Sequence, residues 1–386
     1  MNVKEQSTGE RSGVSPPVDG TANSFGATGG LTPPRSPGSS IKRWFAERLP
    51  ITGVQLEELT NEPVPAHLRH WWFCLGGTPA YLFVVQIVTG ILLAFYYQPS
   101  PQTAYQSIDT ITNQVAFGWY IRGMHKWAAT LMIAAIILHQ MRVYFTGAYR
   151  QPREINWMVG MCLLLCTLIV GFTGYSLVFE QLSFWGATVA ANICDTVPYF
   201  GVFAKRMLLA GDSYNDNTLS RFFILHAAVL PGLMILLIGI HVAILRLQGV
   251  SELRFENEPA DAPKHFDFFP DHFYTELIIG LTLMILLSVL ATVLPVTLGP
   301  KADPLTTPEV IKPEWWFYVS FRWLKLFSGT FAVLSSGFIV FVMFVWPFID
   351  GWIRKRTRFS EASVWIGIVG VFLLVGLTVW EAIVEH

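Results

Sequence analysis

Four histidines stand inside long apolar stretches of this 386-residue chain, His125 and His139 in one stretch and His226 and His241 in another. On an α-helix turning about 100° per residue, a step of 14 leaves two side chains about 40° apart, and a step of 15 about 60° apart. Each pair therefore shares a helix face. The rise over such a step is about 21 Å, which puts one histidine of each pair in each half of a bilayer. In an up-and-down bundle the two stretches run the same way, so His125 is level with His226 and His139 with His241. Two neutral imidazoles facing each other at one depth are the ligands of a bis-histidine haem, an arrangement that suits electron transfer over oxygen binding. Zinc would ask for three or four ligands per site. A lone membrane histidine is usually helix glue, but two matched pairs exceed that role.

Glycines repeat the same period on the flanking stretches. Gly76 and Gly90 are 14 apart, as are Gly160 and Gly174. Glycine costs a helix about 1 kcal/mol relative to alanine, so matched pairs point to a flat ring pressed against the backbone, with close helix packing as the plainer explanation. Arg122, Arg142, Arg221 and Arg246 lie near the ends of the two histidine stretches. There they can pair with haem propionates or serve as interfacial anchors. Arg122 and Arg221, each a few residues ahead of the first histidine of its pair, are the stronger candidates for propionates.

Composition agrees with a membrane setting. The chain is 52% hydrophobic and 14% charged, against about 25% charged in soluble domains, which excludes a soluble globular enzyme. Balanced charge, 26 Lys and Arg against 27 Asp and Glu, offers no basic surface for nucleic acid. Residues 1–41 are rich in Ser, Thr, Gly and Pro and read as a disordered tail. Seven stretches are then long enough to cross a bilayer, near 75–97, 120–146, 157–179, 221–247, 274–298, 330–350 and 362–384. The long connections 180–220 and 299–329 are rich in aromatics and proline, and long connections usually carry function. Lys42, Arg43, Arg48, Arg142, Arg150, Arg153, Arg354, Lys355, Arg356 and Arg358 fall on one side. By the positive-inside rule that side, with the N-terminus, is cytoplasmic, and both long connections face the opposite side.

Nine segments carry a resemblance to cytochrome b of the bc-type and b6f-type quinol-oxidising complexes, from about residue 60 to the C-terminus. They are WFCLGG at 72–77, FGWYIRGMHKW at 117–127, RVYFTGAY at 142–149, PRE at 152–154, GYSL at 174–177, QLSFWGATV at 181–189, TLSRFFILH at 218–226, QGVS at 248–251 and PEWW at 313–316. The resemblance implies an all-α transmembrane fold: a four-helix haem-binding bundle over 42–248, followed by three further spans over 249–386, the two parts fused at about 249–272. It implies two haem b groups, at His125/His226 near the positive side and at His139/His241 near the cytoplasmic side. The 15-residue step from His226 and the Cys-Leu-Gly-Gly beginning at Cys74 favour the b6f-type branch. There, the cysteine like Cys74 holds a third, c-type haem through one thioether. A buried thiol that packs as a small apolar group is the plain alternative, and the other three cysteines, Cys162, Cys166 and Cys194, have no such part.

PEWW resembles the family's PEWY motif at the quinol oxidation site. It makes Glu314 the carboxylate that accepts a quinol proton, with Tyr175 and Phe184 lining the pocket. Trp316 replaces the usual tyrosine, and LVF at 177–179 replaces the usual LPW. On the cytoplasmic side Glu276 resembles an acidic residue of the quinone-reducing site, while Asp271 and His272 serve equally well as helix-end groups. The implied partners are a Rieske iron-sulfur protein, a c-type cytochrome, quinone and membrane lipid, in a homodimeric complex of an energy-transducing, bacterial-type cytoplasmic membrane. The implied activity is quinol oxidation coupled to proton translocation. A dihaem quinone-reactive anchor of a dehydrogenase is the nearest alternative, and a haem-free transporter with proton-relaying histidines is the rival of another class.

Overall fold

Apolar runs dictate the architecture, because in lipid a backbone must satisfy its own hydrogen bonds and a helix does so within one segment. The computed structural model describes residues 63–69, 71–251, 253, 264–357 and 361–384, all within one compact unit, Leu59–His386. The tail expected over 1–41 lies outside these residues, as does part of the expected junction at 249–272. In chain order, the helices are α1 (Gly77–Ala94), α2 (Ala104–Asn113), α3 (Gly118–Phe145), α4 (Glu154–Ser176), α5 (Gln181–Asp195), α6 (Gly201–Leu209), α7 (Asp216–Ile224), α8 (Leu230–Gln248), α9 (Phe273–Val293), α10 (Tyr318–Leu326), α11 (Gly329–Phe344), α12 (Trp346–Arg356) and α13 (Ala362–Ile383). Strands β1 (Pro63–Pro65) and β2 (His265–Asp267) form one short antiparallel pair.

Among the described residues, six continuous helices are long and apolar enough to cross a membrane: Cys74–Ala94, Gly118–Phe145, Glu154–Ser176, Asp216–Gln248, Phe268–Val293 and Ala362–Ile383. The seventh expected span, 330–350, is instead a bent pair, α11 and α12 meeting at 69°. Pro347 explains the break: it lacks the N–H that would continue the ladder and sits comfortably in the first turn of the new helix. The outer faces are apolar and exposed, as with Phe372, Leu373 and Val375 on α13, which is the surface lipid would cover.

The core joins both halves of the chain. Leu82 and Phe83 of α1, Met124, Ala128, Met132 and Ala135 of α3, Cys166 of α4, Met234 of α8 and Leu287 and Ala291 of α9 form one buried cluster. Gly123 lets α9 approach α3, since a Cβ there would come 3.0 Å from that of Ala291. A second cluster, Tyr149, Trp157 and Trp346, seats α12 against the turn after α3. Arg150 donates to the buried Asp350 at 2.9 Å and to Ser363 at 3.3 Å, so the ends of the second and sixth spans and the start of the last share one face. On the opposite face, Glu180 accepts from the Gly299 N–H at 2.8 Å, which ties the two long connections together.

Candidate haem and quinol sites

α3 and the α7–α8 span present their histidines to each other. The rings of His125 and His226 have centroids 6.1 Å apart. Two imidazole nitrogen–metal bonds of about 2 Å each, with the reach from ring centre to nitrogen added, span about that distance. Thr89 Oγ1 donates to the Val85 carbonyl at 2.7 Å and so accepts from His125 Nδ1–H at 2.8 Å, while His226 Nδ1–H donates to the Val170 carbonyl at 2.9 Å. Both Nδ1 atoms carry the proton, which leaves Nε2 of each ring as the ligand atom. His139 and His241 line one cavity of about 800 Å³, together with Cys74, Arg142, Arg246, His272 and Glu276.

Gly90 faces His125, Gly174 faces His226, Gly76 faces His139 and Gly160 faces His241. A Cβ at Gly90 would sit 3.3 Å from the His125 ring, one at Gly160 3.6 Å from that of His241, and one at Gly76 3.7 Å from that of His139; at Gly174 it would collide with His226. The repeat of small residues thus leaves one unobstructed position beside each imidazole. The donor set, the paired rings and the bare backbone all fit two bis-histidine haems.

One turn of the fourth span is a π-turn, Leu225–Val229, and it contains His226. A π-turn holds one extra residue, so the 15-residue step to His241 rotates like a step of about 14, bringing this pair into the register of His125 and His139. Nothing in the sequence announces that turn.

The arginines divide differently from the expectation. Arg122 is buried and donates to the carbonyls of Val296 at 2.8 Å and Thr297 at 3.3 Å, fastening α3 to the end of the fifth span. Arg221 reaches the Met207 carbonyl at 3.5 Å on the surface. Arg142 and Arg246 instead line the cavity, and among the described residues the buried Nε of Arg142 has no hydrogen-bond partner, which leaves a donor for an anionic group.

Cys74 enters the same cavity, its Sγ 3.6 Å from the Leu68 carbonyl. Its sulfur, a His272 nitrogen and a Glu276 oxygen all lie within 4.8 Å of one another. The absent side chain of Gly77 admits the Glu276 carboxylate. The thiol therefore borders open space beside the second histidine pair, which fits a covalently held haem. Cys166 is in the core, and Cys162 and Cys194 are half-buried.

Beside the first pair, Glu314 is ion-paired with Lys126, the residue after His125, and its side chain is 20% exposed. The Lys126 ammonium lies 5.5 Å over the Trp316 ring and 5.7 Å over that of Tyr175. Trp316 packs 3.8 Å from the Cβ position of Gly171, and its indole N–H is buried without a partner. Lys126 was missed in the sequence, because its separation of 188 positions from Glu314 carries no periodic signal. Tyr318, on α10, has its phenol pushed up by burial and then by the Glu314 and Glu381 carboxylates. Phe184 stays in an aromatic core with Phe179 and Tyr214.

This fold and these facing histidines define a multi-pass, haem-binding electron-transport protein of the membrane. Family models agree: the cytochrome b/b6/petB model matches residues 59–249, and the cytochrome b (C-terminal)/b6/petD model matches residues 301–384. Cytochrome b6 of Heliomicrobium gestii is 43% identical over 210 residues, 54% of this chain and 99% of that protein. A cytochrome bc complex cytochrome b subunit of Chlorobaculum thiosulfatiphilum is 34% identical over 342 residues, 87% of this chain and 79% of the relative. The solved structure of a hyperthermophilic respiratory Complex III shares the fold, with a TM-score of 0.77 at 24% identity, over 89% of this chain and 92% of that one. The chain belongs to the cytochrome b/b6 family.

Proposed function

We propose that this chain is the cytochrome b subunit of a quinol-oxidising, proton-translocating complex of the bc or b6f type. The observation that carries the reading is the placement of Glu314, Trp316 and Lys126 beside His125 and His226, with a second histidine pair and a cavity bearing Glu276 a half-membrane away. His125/His226 and His139/His241 would each hold a haem b, and Cys74 a c-type haem; held there, such groups supply one-electron redox chemistry at two depths of the membrane.

At the outer site Glu314 accepts the proton of a bound quinol. Lys126 holds that carboxylate in place and stabilises its charge. The unpartnered Trp316 N–H donates to a quinol oxygen, but indole cannot take up or lose a proton as the phenol of the usual tyrosine can. Tyr175 closes the pocket over the Lys126 ammonium. At the inner site Glu276 and His272 hold protons for quinone reduction, and Arg142 and Arg246 bind anionic groups. Residues 42–248 form the dihaem part and 249–386 the part that completes the quinol site. The N-terminus is cytoplasmic, and the assembly is a dimer with a Rieske protein and a c-type cytochrome as electron acceptors.

The test is Glu314→Gln in the intact complex, with duroquinol as donor. Turnover falls by about a hundredfold, the size of a lost general base, while haem content stays at the parent level. Parent-level turnover contradicts the reading.

A further inference from the structure

The C-terminal end of the last span is bound to the PEWW segment by three cations. Lys312 donates to the Val384 carbonyl at 2.7 Å. Arg322 and Lys325 each lie 3.5 Å from one oxygen of the Glu381 carboxylate, and the Arg322 guanidinium stacks 4.0 Å over the Trp380 ring. These cations bracket Glu314 and Trp316 in the chain, Lys312 just before them and the other two on α10 just after, and α10 packs along α13. Glu381 is fully buried, although much of its helix is exposed to lipid. A carboxylate is costly on such a helix and persists where it is paired and useful. The segment it holds needs anchors, because from Leu294 to Glu314 it has no helix of its own.

We propose that Glu381 is a positioning residue for quinol oxidation: it fixes Arg322 and Lys325, and through α10 it holds Glu314 against Lys126 and Trp316 against Gly171. The inference rests on the quinol-oxidation reading above. Glu381 touches no substrate, so its loss changes the alignment of the reacting groups and leaves the pocket walls on α4 in place.

In the full complex with duroquinol, Glu381→Gln is expected to lower kcat about tenfold or more, as small misplacements do, with KM within about twofold and b-haem absorption at the parent level. Glu381→Asp, which keeps the charge, recovers part of the loss. A Glu381→Gln complex with full haem and kcat within about twofold of the parent overturns the proposal. Should that variant accumulate without haem, the paired Arg322→Met, Glu381→Met variant removes the buried charge on both sides, a change that buried ion pairs often tolerate. Restored haem with kcat still low supports positioning; restored haem with full turnover, or no restoration of haem, shows a merely structural role and overturns it. Glu314→Gln separates the two readings. If Glu314→Gln turns over like the parent, the quinol-oxidation reading itself fails; if it is inactive while Glu381→Gln is unaffected, only the positioning role falls.

Discussion

Absence of a side chain decides as much in this protein as presence. Gly174 is the tightest case, since any Cβ there enters the His226 ring, whereas Gly76 and Gly160 have room to spare. Gly174→Ala is therefore expected to displace His226 and remove one of two b haems, seen as about half the b-type pyridine haemochrome absorbance per chain, while Gly160→Ala retains both. Equal retention in both variants would count against the role given to these glycines. The histidines and glycines were legible in the sequence because both repeat at helical period. Lys126 was not, and neither was the engagement of Arg122 with the carbonyls of Val296 and Thr297, because both depend on which span comes alongside α3.

Among the elements, the π-turn at His226 and the bent pair are two departures from regular spans. Hydrophobicity reports length and apolarity, and both survive an inserted residue or a proline, so the spans were readable and their irregularities were not. The π-turn sets the register of His241, and deletion of Ala228 is expected to restore a plain helix there. His226 and His241 then stand 14 residues apart on that helix, about the rotation the π-turn already gives them, so both b haems are expected to remain in the spectrum. A variant that loses one b haem contradicts the register given to the turn. Pro347 was visible as a residue, yet its consequence depends on the aromatic seat of Tyr149, Trp157 and Trp346 that receives α12. The connections hold α2, α5, α6 and α10, short helices that lie outside the membrane spans.

For the whole molecule, the two faces are separately stapled. Arg150, Asp350 and Ser363 join one, and Glu180, Gly299, Lys312 and Val384 join the other. In the orientation proposed from the charge bias, the first face is cytoplasmic. A protease-cleavable tag at the N-terminus is thus expected to be removed in inside-out vesicles and protected in right-side-out ones; the reverse pattern inverts the orientation and both quinone sites with it. The proposed cofactor set is two haems on four histidines and a third on Cys74. Haem-stained denaturing electrophoresis of the chain, paired with a pyridine haemochrome ratio, tests it most directly. Haem is expected to stay on the 43.4 kDa band, with about two b haems for each c-type haem. Haem wholly lost from the band returns Cys74 to a packing role, and fewer than two b haems per chain contradicts the pairing of His125 with His226 and of His139 with His241.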